Sequence, residues 1–345
     1  MLGNSPTSPA SGPEEQQGRL PAAEQRSVGN DIQPRISRDS IVVVAKRSRF
    51  ERESQNLNLS EEALLARYDA IGESGSRLFG SHVRQREALQ ICKRELSDEQ
   101  VVRVEDLAKR LASGKVHAVI ALGGDDFLKL ASQFVKDTPV LGVNSDPSFS
   151  HGVLLSTHID QIQQVICALE SGHYRIEPWA RIQLTIDGHE LSPALNDVVL
   201  GKRDFRQMSR HELEFRGERI IQRSSGILVA SGAGSTGWFS SAGLYLGRED
   251  RSFPREAPYL RFELREPQVR IATEDGIRSV SLPPHTEGTL LPGESLRITS
   301  LNDDDGIASR DSIDTIPFQR GAVAEISLSS TPLNMIIPEN GRCYQ

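Results

Sequence analysis

The chain has 345 residues, of which 25% are charged and 37% hydrophobic, and its formal net charge is −7 at pH 7. This length is sufficient for two domains that each bury a core. The negative charge argues against nonspecific nucleic-acid binding, which depends on a basic surface. No run reaches the roughly 20 apolar residues of a membrane-spanning helix. The three cysteines lie far apart without metal-ligand spacing, which is typical of reduced thiols in a cytoplasmic protein.

The first segment, residues 1–37, is rich in Pro, Ser, Gln and Glu and lacks the apolar core of a signal peptide. We expect it to form a disordered tail. Order is predicted to begin at Ser40 with a buried strand over residues 41–44. Ser60 is then in position to cap a helix whose apolar residues fall on one face.

Between residues 83 and 169 the sequence pattern alternates between helix and strand. It predicts helices over residues 83–96, 107–111, 126–136 and 159–169, and strands over residues 101–104, 117–122 and 139–143. Alternation of this kind gives a parallel sheet with right-handed crossovers. From Tyr174 onward, short strands separated by turn residues predict a mainly antiparallel region, with a hairpin at Asp187-Gly188.

The predicted fold is therefore an α/β N-terminal domain with a parallel, Rossmann-like sheet, followed by a mainly antiparallel β C-terminal domain. We place the tail at residues 1–37, the α/β domain at 38–157 and the β-rich domain at 158–345. The last residues are expected to be able to return to the first domain.

The most informative segment is residues 117–127, where an apolar strand ends in Gly123-Gly124-Asp125 and a helical pattern follows. Glycine allows backbone N–H groups to approach a phosphate closely. Open α/β sheets bind their ligands at the carboxyl ends of the strands. The carboxylate of Asp125 at such a place is typical of a base that activates a hydroxyl for phosphoryl transfer. Taken alone, Asp125 is better interpreted as an ordinary helix cap, and only its companion motifs favour a site residue.

Four motifs in register resemble those of the NAD kinase family. Gly123-Gly124-Asp125 is similar to the family's Gly-Gly-Asp-Gly-Thr loop, and Asn144 followed by Gly152-Val153-Leu154 resembles its next strand and loop. Asn196-Asp197 stands where the family carries Asn-Glu or Asn-Asp, and Gly234-Ser235-Thr236 resembles its Gly-Ser-Thr segment. The Asn-x-Asp-Pro form of the second motif is most similar to divergent members, including the mitochondrial-type branch.

The resemblance implies a two-domain kinase that transfers the γ-phosphate of ATP, or sometimes of polyphosphate, to the 2′-hydroxyl of the adenosine ribose of NAD(H). Asp125 would orient and deprotonate that hydroxyl, while Gly123 and Gly124 would approach phosphates. Mg²⁺ would arrive with the nucleotide, so no dedicated metal site is expected.

The same resemblance implies which residues bind the dinucleotide. Asn196 and Asp197 would hold its nicotinamide half, Asn144 belongs to the same ligand-binding set, and the segment Gly234, Ser235 and Thr236 would line the adenosine side. The expected partners are a dinucleotide and a nucleotide, without nucleic acid or membrane. The family also implies a homo-oligomer, either a dimer or a tetramer.

Several positions depart from the family pattern. Asp126 and Phe127 stand where the family has Gly and Thr, which brings a second carboxylate near the expected triphosphate. Two unit charges about 4 Å apart interact by roughly 4 kcal/mol at an effective dielectric near 20. Asp311-Ser312 resembles a degraded Asp-Gly. Three functions therefore stay open: an NAD kinase, a kinase of another hydroxyl such as that of a sugar or lipid, and a catalytically inactive nucleotide-binding protein.

Overall fold

The structure is a computed structural model that describes residues 33–244, 251–274 and 277–339. Nearly all of the predicted tail, residues 1–37, lies outside the described residues. The helices in the described part are α1 (Arg49–Leu57), α2 (Glu61–Ala70), α3 (Gly75–Glu95), α4 (Val104–Leu111), α5 (Asp125–Ser132), α6 (Ile162–Ser171) and α7 (Trp238–Leu244). None of these described helices has both the length and the apolar character required to cross a bilayer.

The strands fall into an early, largely parallel group and a later antiparallel group. The early strands are β1 (Ile41–Ala45), β2 (Val101–Val102), β3 (Ala118–Gly123), β4 (Val140–Asn144), β5 (Thr157–His158) and β6 (Tyr174–Trp179). The next are β7 (Ile182–Ile186), β8 (His189–Glu190), β9 (Asp197–Lys202), β10 (Ser209–Phe215), β11 (Glu218–Ser224), β12 (Gly226–Ala230) and β13 (Leu260–Arg265). The last are β14 (Arg270–Glu274), β15 (Ile277–Ser281), β16 (Glu287–Leu290), β17 (Ser295–Ser300), β18 (Gly306–Arg310), β19 (Ile316–Pro317), β20 (Val323–Leu328) and β21 (Leu333–Pro338).

The first sheet has the order β2-β1-β3-β4-β21-β6, with β5 beside β4. Its strands are parallel except for β6, which runs antiparallel to β21. Strands β1, β3 and β4 are buried along their whole length, because apolar cores cover both faces of the sheet. The chain leaves β1 toward β2 on one side and later adds β3 on the other. The carboxyl ends of β1 and β3 are therefore a topological switch point, where such sheets bind ligands.

Three helices connect β1 to β2. Ser48, Ser60 and Ser74 cap α1, α2 and α3, and each side chain accepts an N–H from the residue three positions later. The three helices share a small core around Phe50, Leu64 and Tyr68. The cap predicted at Ser60 is confirmed. The pattern had not predicted α1, in which Phe50 is the one buried residue of a strongly charged segment.

The later strands form two antiparallel sheets, ordered β11-β10-β17-β20-β7-β8 and β16-β13-β12-β9-β18-β19. Their inner faces share one apolar core, so the region is a β-sandwich. Strand β7 alternates buried and half-buried residues, as a sheet with one covered face requires. Asp187 and Gly188 have φ values of 50° and 80°, which confirms the predicted hairpin turn. The predicted combination of a parallel α/β sheet with an antiparallel β region is confirmed.

The end of the described chain returns to the first sheet. Strand β21 pairs parallel with β4 and antiparallel with β6, and helix α6 packs into the core of the same sheet. Strand β6 is therefore part of the first sheet, and helix α6 packs against that sheet and not against the sandwich. The domain boundaries drawn from the sequence stay a prediction.

Candidate functional site

The turn after β3 contains two glycines, of which one is closely packed and the other is open. Strand β3 ends at Gly123, and α5 begins at Asp125. Neither Gly123 nor Gly124 has a positive φ, so left-handed backbone does not explain these glycines. A Cβ on Gly123 would lie 2.8 Å from the Cβ of Phe127, whereas the nearest atoms to a Cβ on Gly124 are 3.9 Å away. Phe127 thus fills the space beside Gly123, while Gly124 is the more open of the two glycines, and the predicted approach of both to phosphates stays a prediction.

The side chain of Asp125 joins two of the predicted motifs. Its carboxylate accepts hydrogen bonds from the backbone N–H of Leu154 at 2.9 Å and of Val153 at 3.1 Å. The N-cap of α5 is Gly124, and no side chain caps that helix, so Asp125 does not serve as its cap. Each carboxylate oxygen has a second lone pair to offer. The half-exposed Asp125 can therefore accept a further hydrogen bond from a ligand.

A cleft of about 500 Å³ opens beside this turn, and we call it the basic cleft. Its lining includes four cationic side chains that follow β1, together with Gly124, Asp125 and Asp126: Lys46, Arg47, Arg49 and Arg52. Lys46 is half-buried, and this burial lowers the pKa of its ammonium. Within the described part of the chain, no carboxylate lies at ion-pair distance from Lys46. The cleft thus holds cationic charge that is not neutralised by a contacting acid, as a polyphosphate site requires.

Sequence reasoning did not identify these four cations. The available signal was their position directly after the first buried strand of a predicted parallel sheet. The carboxyl end of β1 borders the switch point, and cations that directly follow β1 are therefore expected to face a ligand.

The second carboxylate of the turn, Asp126, points into solvent. Its side chain is 95% exposed, and Oδ1 lies 2.9 Å from Nζ of Lys129. Because Lys129 and the four cations of the basic cleft offset this charge, Asp126 does not make the cleft anionic. The strong repulsion of a triphosphate considered at the sequence level is therefore not expected.

The sandwich contributes Asn196 and Asp197, at the start of β9, and their backbone is held by a remote aspartate. The carboxylate of Asp311 accepts the backbone N–H groups of Leu195 at 3.0 Å, Asn196 at 2.6 Å and Asp197 at 3.3 Å. Asp311 and Ser312 both have left-handed backbone, with φ of 53° and 58°. The aspartate of the degraded Asp-Gly pair is thus a buried anchor for the Asn196-Asp197 segment.

Two oxygens in this segment have no protein partner. Oδ1 of Asn196 and Oδ1 of Asp197 are buried and unbonded in the described structure. Burial, reinforced by the nearby Asp311, raises the pKa of Asp197 to about 6, and the charge of Lys129 acts in the opposite direction. Buried acceptors without partners are uncommon in proteins and call for an explanation, and a ligand that donates hydrogen bonds here would complete their bonding. The interaction with Lys129 also connects this pair to helix α5.

The Gly234–Thr236 turn packs directly against Asn196. A Cβ on Gly234 would lie 2.1 Å from the carbonyl oxygen of Asn196, so only glycine allows this approach. The Ser235 hydroxyl is fully buried, donates to a backbone carbonyl at 2.7 Å and accepts the N–H of Phe253 at 3.1 Å. Ser235 therefore holds the turn in shape. Thr236 is exposed and is free to contact a ligand.

Asn144 organises the loop after β4. Its amide donates to the carbonyl of Ser150 at 2.8 Å and accepts the N–H of Asp146 at 3.0 Å. Asp146 in turn receives a bidentate pair of hydrogen bonds from Arg84 of α3, at 2.7 Å and 3.2 Å. With its side chain 1% exposed, Asn144 shapes the wall of the site, and its predicted ligand contact stays a prediction.

The chain is similar to NAD and NADH kinases among known proteins, although no family model matches it. The chain is 28% identical over 282 residues to the probable NADH kinase of Oryza sativa, covering 74% of this chain and 82% of the relative. It is 30% identical over 131 residues to an NAD kinase of Clostridium perfringens. That alignment covers 36% of this chain and 46% of the relative, so the chain spans about half the length of this bacterial protein.

Two solved structures share the fold. Yeast NADH kinase, solved in complex with NADH, superposes with a TM-score of 0.54 at 15% identity, over 74% of this chain and 80% of that one. An NAD kinase from Archaeoglobus fulgidus, solved in complex with ATP, gives a TM-score of 0.53 at 17% identity. This second match covers 88% of this chain and 95% of that one.

Proposed function

Because the chain belongs to the NAD kinase family as a divergent member, we propose that it transfers the γ-phosphate of ATP to the 2′-hydroxyl of the adenosine ribose of NAD(H). The observation that carries the proposal is the position of Asp125, whose carboxylate stands at the edge of a cleft lined by four cations at the switch point of the sheet. Positioning and charge neutralisation are the main requirements of phosphoryl transfer.

In this proposal the basic cleft binds the donor. Lys46, Arg47 and Arg52 neutralise the phosphates, while the open face of Gly124 lets the chain approach them closely. Asp125 receives the proton of the attacking hydroxyl, and its bonds to the Val153–Leu154 backbone fix the direction in which it points.

Mg²⁺ fits this site as a companion of the nucleotide. The described residues contain no cluster of three or more His, Cys, Asp or Glu side chains that could hold a metal ion. Mg²⁺ keeps several waters and is commonly bound through substrate phosphates and one or two carboxylates. Mg²⁺ would therefore be held mainly by the phosphates of the bound nucleotide and by water.

The acceptor dinucleotide is assigned to the sandwich side. The unpartnered oxygens of Asn196 and Asp197 suit the amide and ribose hydroxyls of its nicotinamide half, and Thr236 suits the adenosine side. A cytoplasmic location and assembly into dimers or tetramers belong to the same proposal. No observation favours a sugar or lipid hydroxyl as the acceptor.

The test is the formation of NADP(H) by purified protein with ATP, Mg²⁺ and NAD or NADH. We expect Asp125→Asn to lower kcat by a factor of about 10² to 10⁴, the usual contribution of a general base. Asp106→Asn is the matched control. Asp106 is an exposed first-turn aspartate of α4, a helix that packs against the same sheet, and it lies outside the basic cleft.

Two results would contradict the proposal. Equal activity of Asp125→Asn and the wild type would remove Asp125 from the chemistry. Binding of ATP and NAD without product would instead favour the inactive nucleotide-binding protein.

A further inference from the structure

We propose that a second pocket, built by the helices between β1 and β2, binds the nucleoside of the phosphate donor and so selects a nucleoside triphosphate over inorganic polyphosphate. We call it the helical pocket. It has a volume of about 440 Å³ and is lined by residues of α1, α3 and the ends of β1 and β3, as well as Ser145. The inference rests on the proposed function, because it names the donor used by the same site.

The helical pocket is contiguous with the basic cleft. The two cavities share Lys46, Ser48, His82 and Gln85 as a common wall. A donor can therefore place its phosphates in the basic cleft and its nucleoside in the helical pocket. The volume lies within the range of about 300–1,000 Å³ that is usual for small-ligand sites.

The helical pocket also has unused hydrogen-bonding capacity. The hydroxyl of Ser145 has no partner in the described structure, although Ser145 is only 4% exposed. The amide nitrogen of Gln85 donates to Ser81 at 3.1 Å, and Ser81 bonds to the carboxylate of Asp146. This chain of bonds fixes the Gln85 amide and leaves its buried oxygen without a donor. A hydroxyl and an amide oxygen are suited to ribose hydroxyls or to the amino group of a base.

Charge separates the roles of the two cavities. Apart from the shared Lys46, the helical pocket is lined by two acids, Glu51 and Glu61, and by two cations, Arg86 and Arg103, so these charges cancel; Glu51 and Arg103 form an ion pair at 3.5 Å. In the basic cleft Lys46, Arg47 and Arg52 have no ion-pair partner among the described residues that line it. An extended polyanion that entered the helical pocket would gain little from these balanced charges. The helical pocket therefore suits the uncharged nucleoside, and the more cationic basic cleft suits the phosphates.

The experiment compares the affinities of the intact protein for MgATP and for tripolyphosphate by titration calorimetry. Gln55→Trp fills the helical pocket from an exposed position on α1, and Gln85→Met removes the unpaired acceptor. We expect either change to weaken MgATP binding by about tenfold and to change tripolyphosphate binding by less than about twofold. Asn56→Trp is the matched control, because Asn56 is the exposed neighbour of Gln55 and lines neither cavity.

The proposal is overturned if wild-type protein binds tripolyphosphate as tightly as MgATP, if it binds no MgATP, or if both variants bind MgATP like the wild type. Failure of the proposed function gives a different result. In that case MgATP binding still depends on Gln55 and Gln85, but no phosphorylated dinucleotide is formed.

Discussion

At the scale of single residues, the two glycines of the turn after β3 have different roles: one is packed against a side chain and the other faces the cleft. Gly123 is needed because the ring of Phe127 covers it, whereas Gly124 faces the basic cleft, where a Cβ would make only ordinary contacts at 3.9 Å. Asp126 departs from the family motif, but its side chain projects into solvent and pairs with Lys129. The departures from the family motif thus change packing and surface charge while leaving Asp125 at the edge of the cleft.

Alanine at the two glycines should separate stability from binding. Gly123→Ala places a methyl group 2.8 Å from Phe127 and should lower the free energy of unfolding by about 1–3 kcal/mol. Gly124→Ala should lower it by no more than about 1 kcal/mol, the cost of alanine at a helix N-cap, and should weaken ATP binding, since the methyl group enters the basic cleft. Urea denaturation and ATP titration of both variants check this. A stable Gly123→Ala, or full ATP affinity in Gly124→Ala, would contradict the assignment.

Removal of the Asp126 charge should have a small effect. We expect Asp126→Gly to tighten ATP binding by about twofold to fivefold, because exposed charges about 4 Å apart interact by roughly 1 kcal/mol in water. Asp106→Gly, at an exposed helix start outside the basic cleft, is the control for the loss of a first-turn acid. Unchanged or weaker ATP affinity in Asp126→Gly alone would show that this carboxylate does not repel the donor.

At the scale of elements, the sequence predicts what local periodicity specifies. Strands β1, β3 and β4, the cap at Ser60 and the hairpin at Asp187-Gly188 are confirmed because each depends on neighbouring residues. Long-range contacts were not predictable. Asp311 anchors a segment 114 to 116 positions earlier in the chain. The cations after β1 become a site only when α5 and the helical connection are packed beside them.

Hydrogen bonds from β11 and from the loop after β17 define the tautomer of His211 in β10. Asn302 accepts the N–H of Arg210 at 2.8 Å, which directs its amide nitrogen to Nε2 of the buried His211 at 3.1 Å. Nε2 must then be the acceptor, and the proton lies on Nδ1. Gln222, 3.2 Å from Nδ1 and with an unpaired Oε1, satisfies this arrangement when its amide oxygen faces the ring.

The buried histidine predicts acid sensitivity. Burial lowers the pKa of His211 from 6.5 to about 4, so the unfolded chain binds this proton more readily than the folded one. The free energy of unfolding should therefore fall by roughly 3 kcal/mol as the pH falls from 6.5 to 4. Asp197 acts in the opposite direction, because its pKa is raised from 3.8 to about 6 and protonation favours the folded state.

Urea denaturation between pH 7.5 and 4.5 separates the two contributions. Asp197→Asn should make the loss of stability on acidification steeper than in the wild type, and His211→Gln should make it shallower or reverse it. Identical pH dependence in all three proteins would contradict both assignments.

At the scale of the whole molecule, the parallel sheet and the β-sandwich both contribute residues to the proposed site. The parallel sheet provides Asp125 and the cations, and the sandwich provides Asn196, Asp197 and the Gly234–Thr236 turn. Their connection runs through Lys129 of α5, which acts electrostatically on Asp197, and through Arg255, which donates to the carbonyl of Val153 at 2.6 Å. A net charge of −7 coexists with a cleft lined by four cations, so a protein that is negatively charged overall still offers a local cationic site to a polyphosphate.

The most direct test of the account is to follow the γ-phosphate of ATP by ³¹P NMR in the presence of the full-length protein, Mg²⁺ and NAD. We predict a new phosphomonoester signal on the adenosine 2′-oxygen of the dinucleotide, absent when 2′-deoxyadenosine-containing NAD is the acceptor and strongly reduced in Asp125→Asn. A γ-phosphate that stays on ATP, or that moves to a molecule other than NAD, would contradict the central claim.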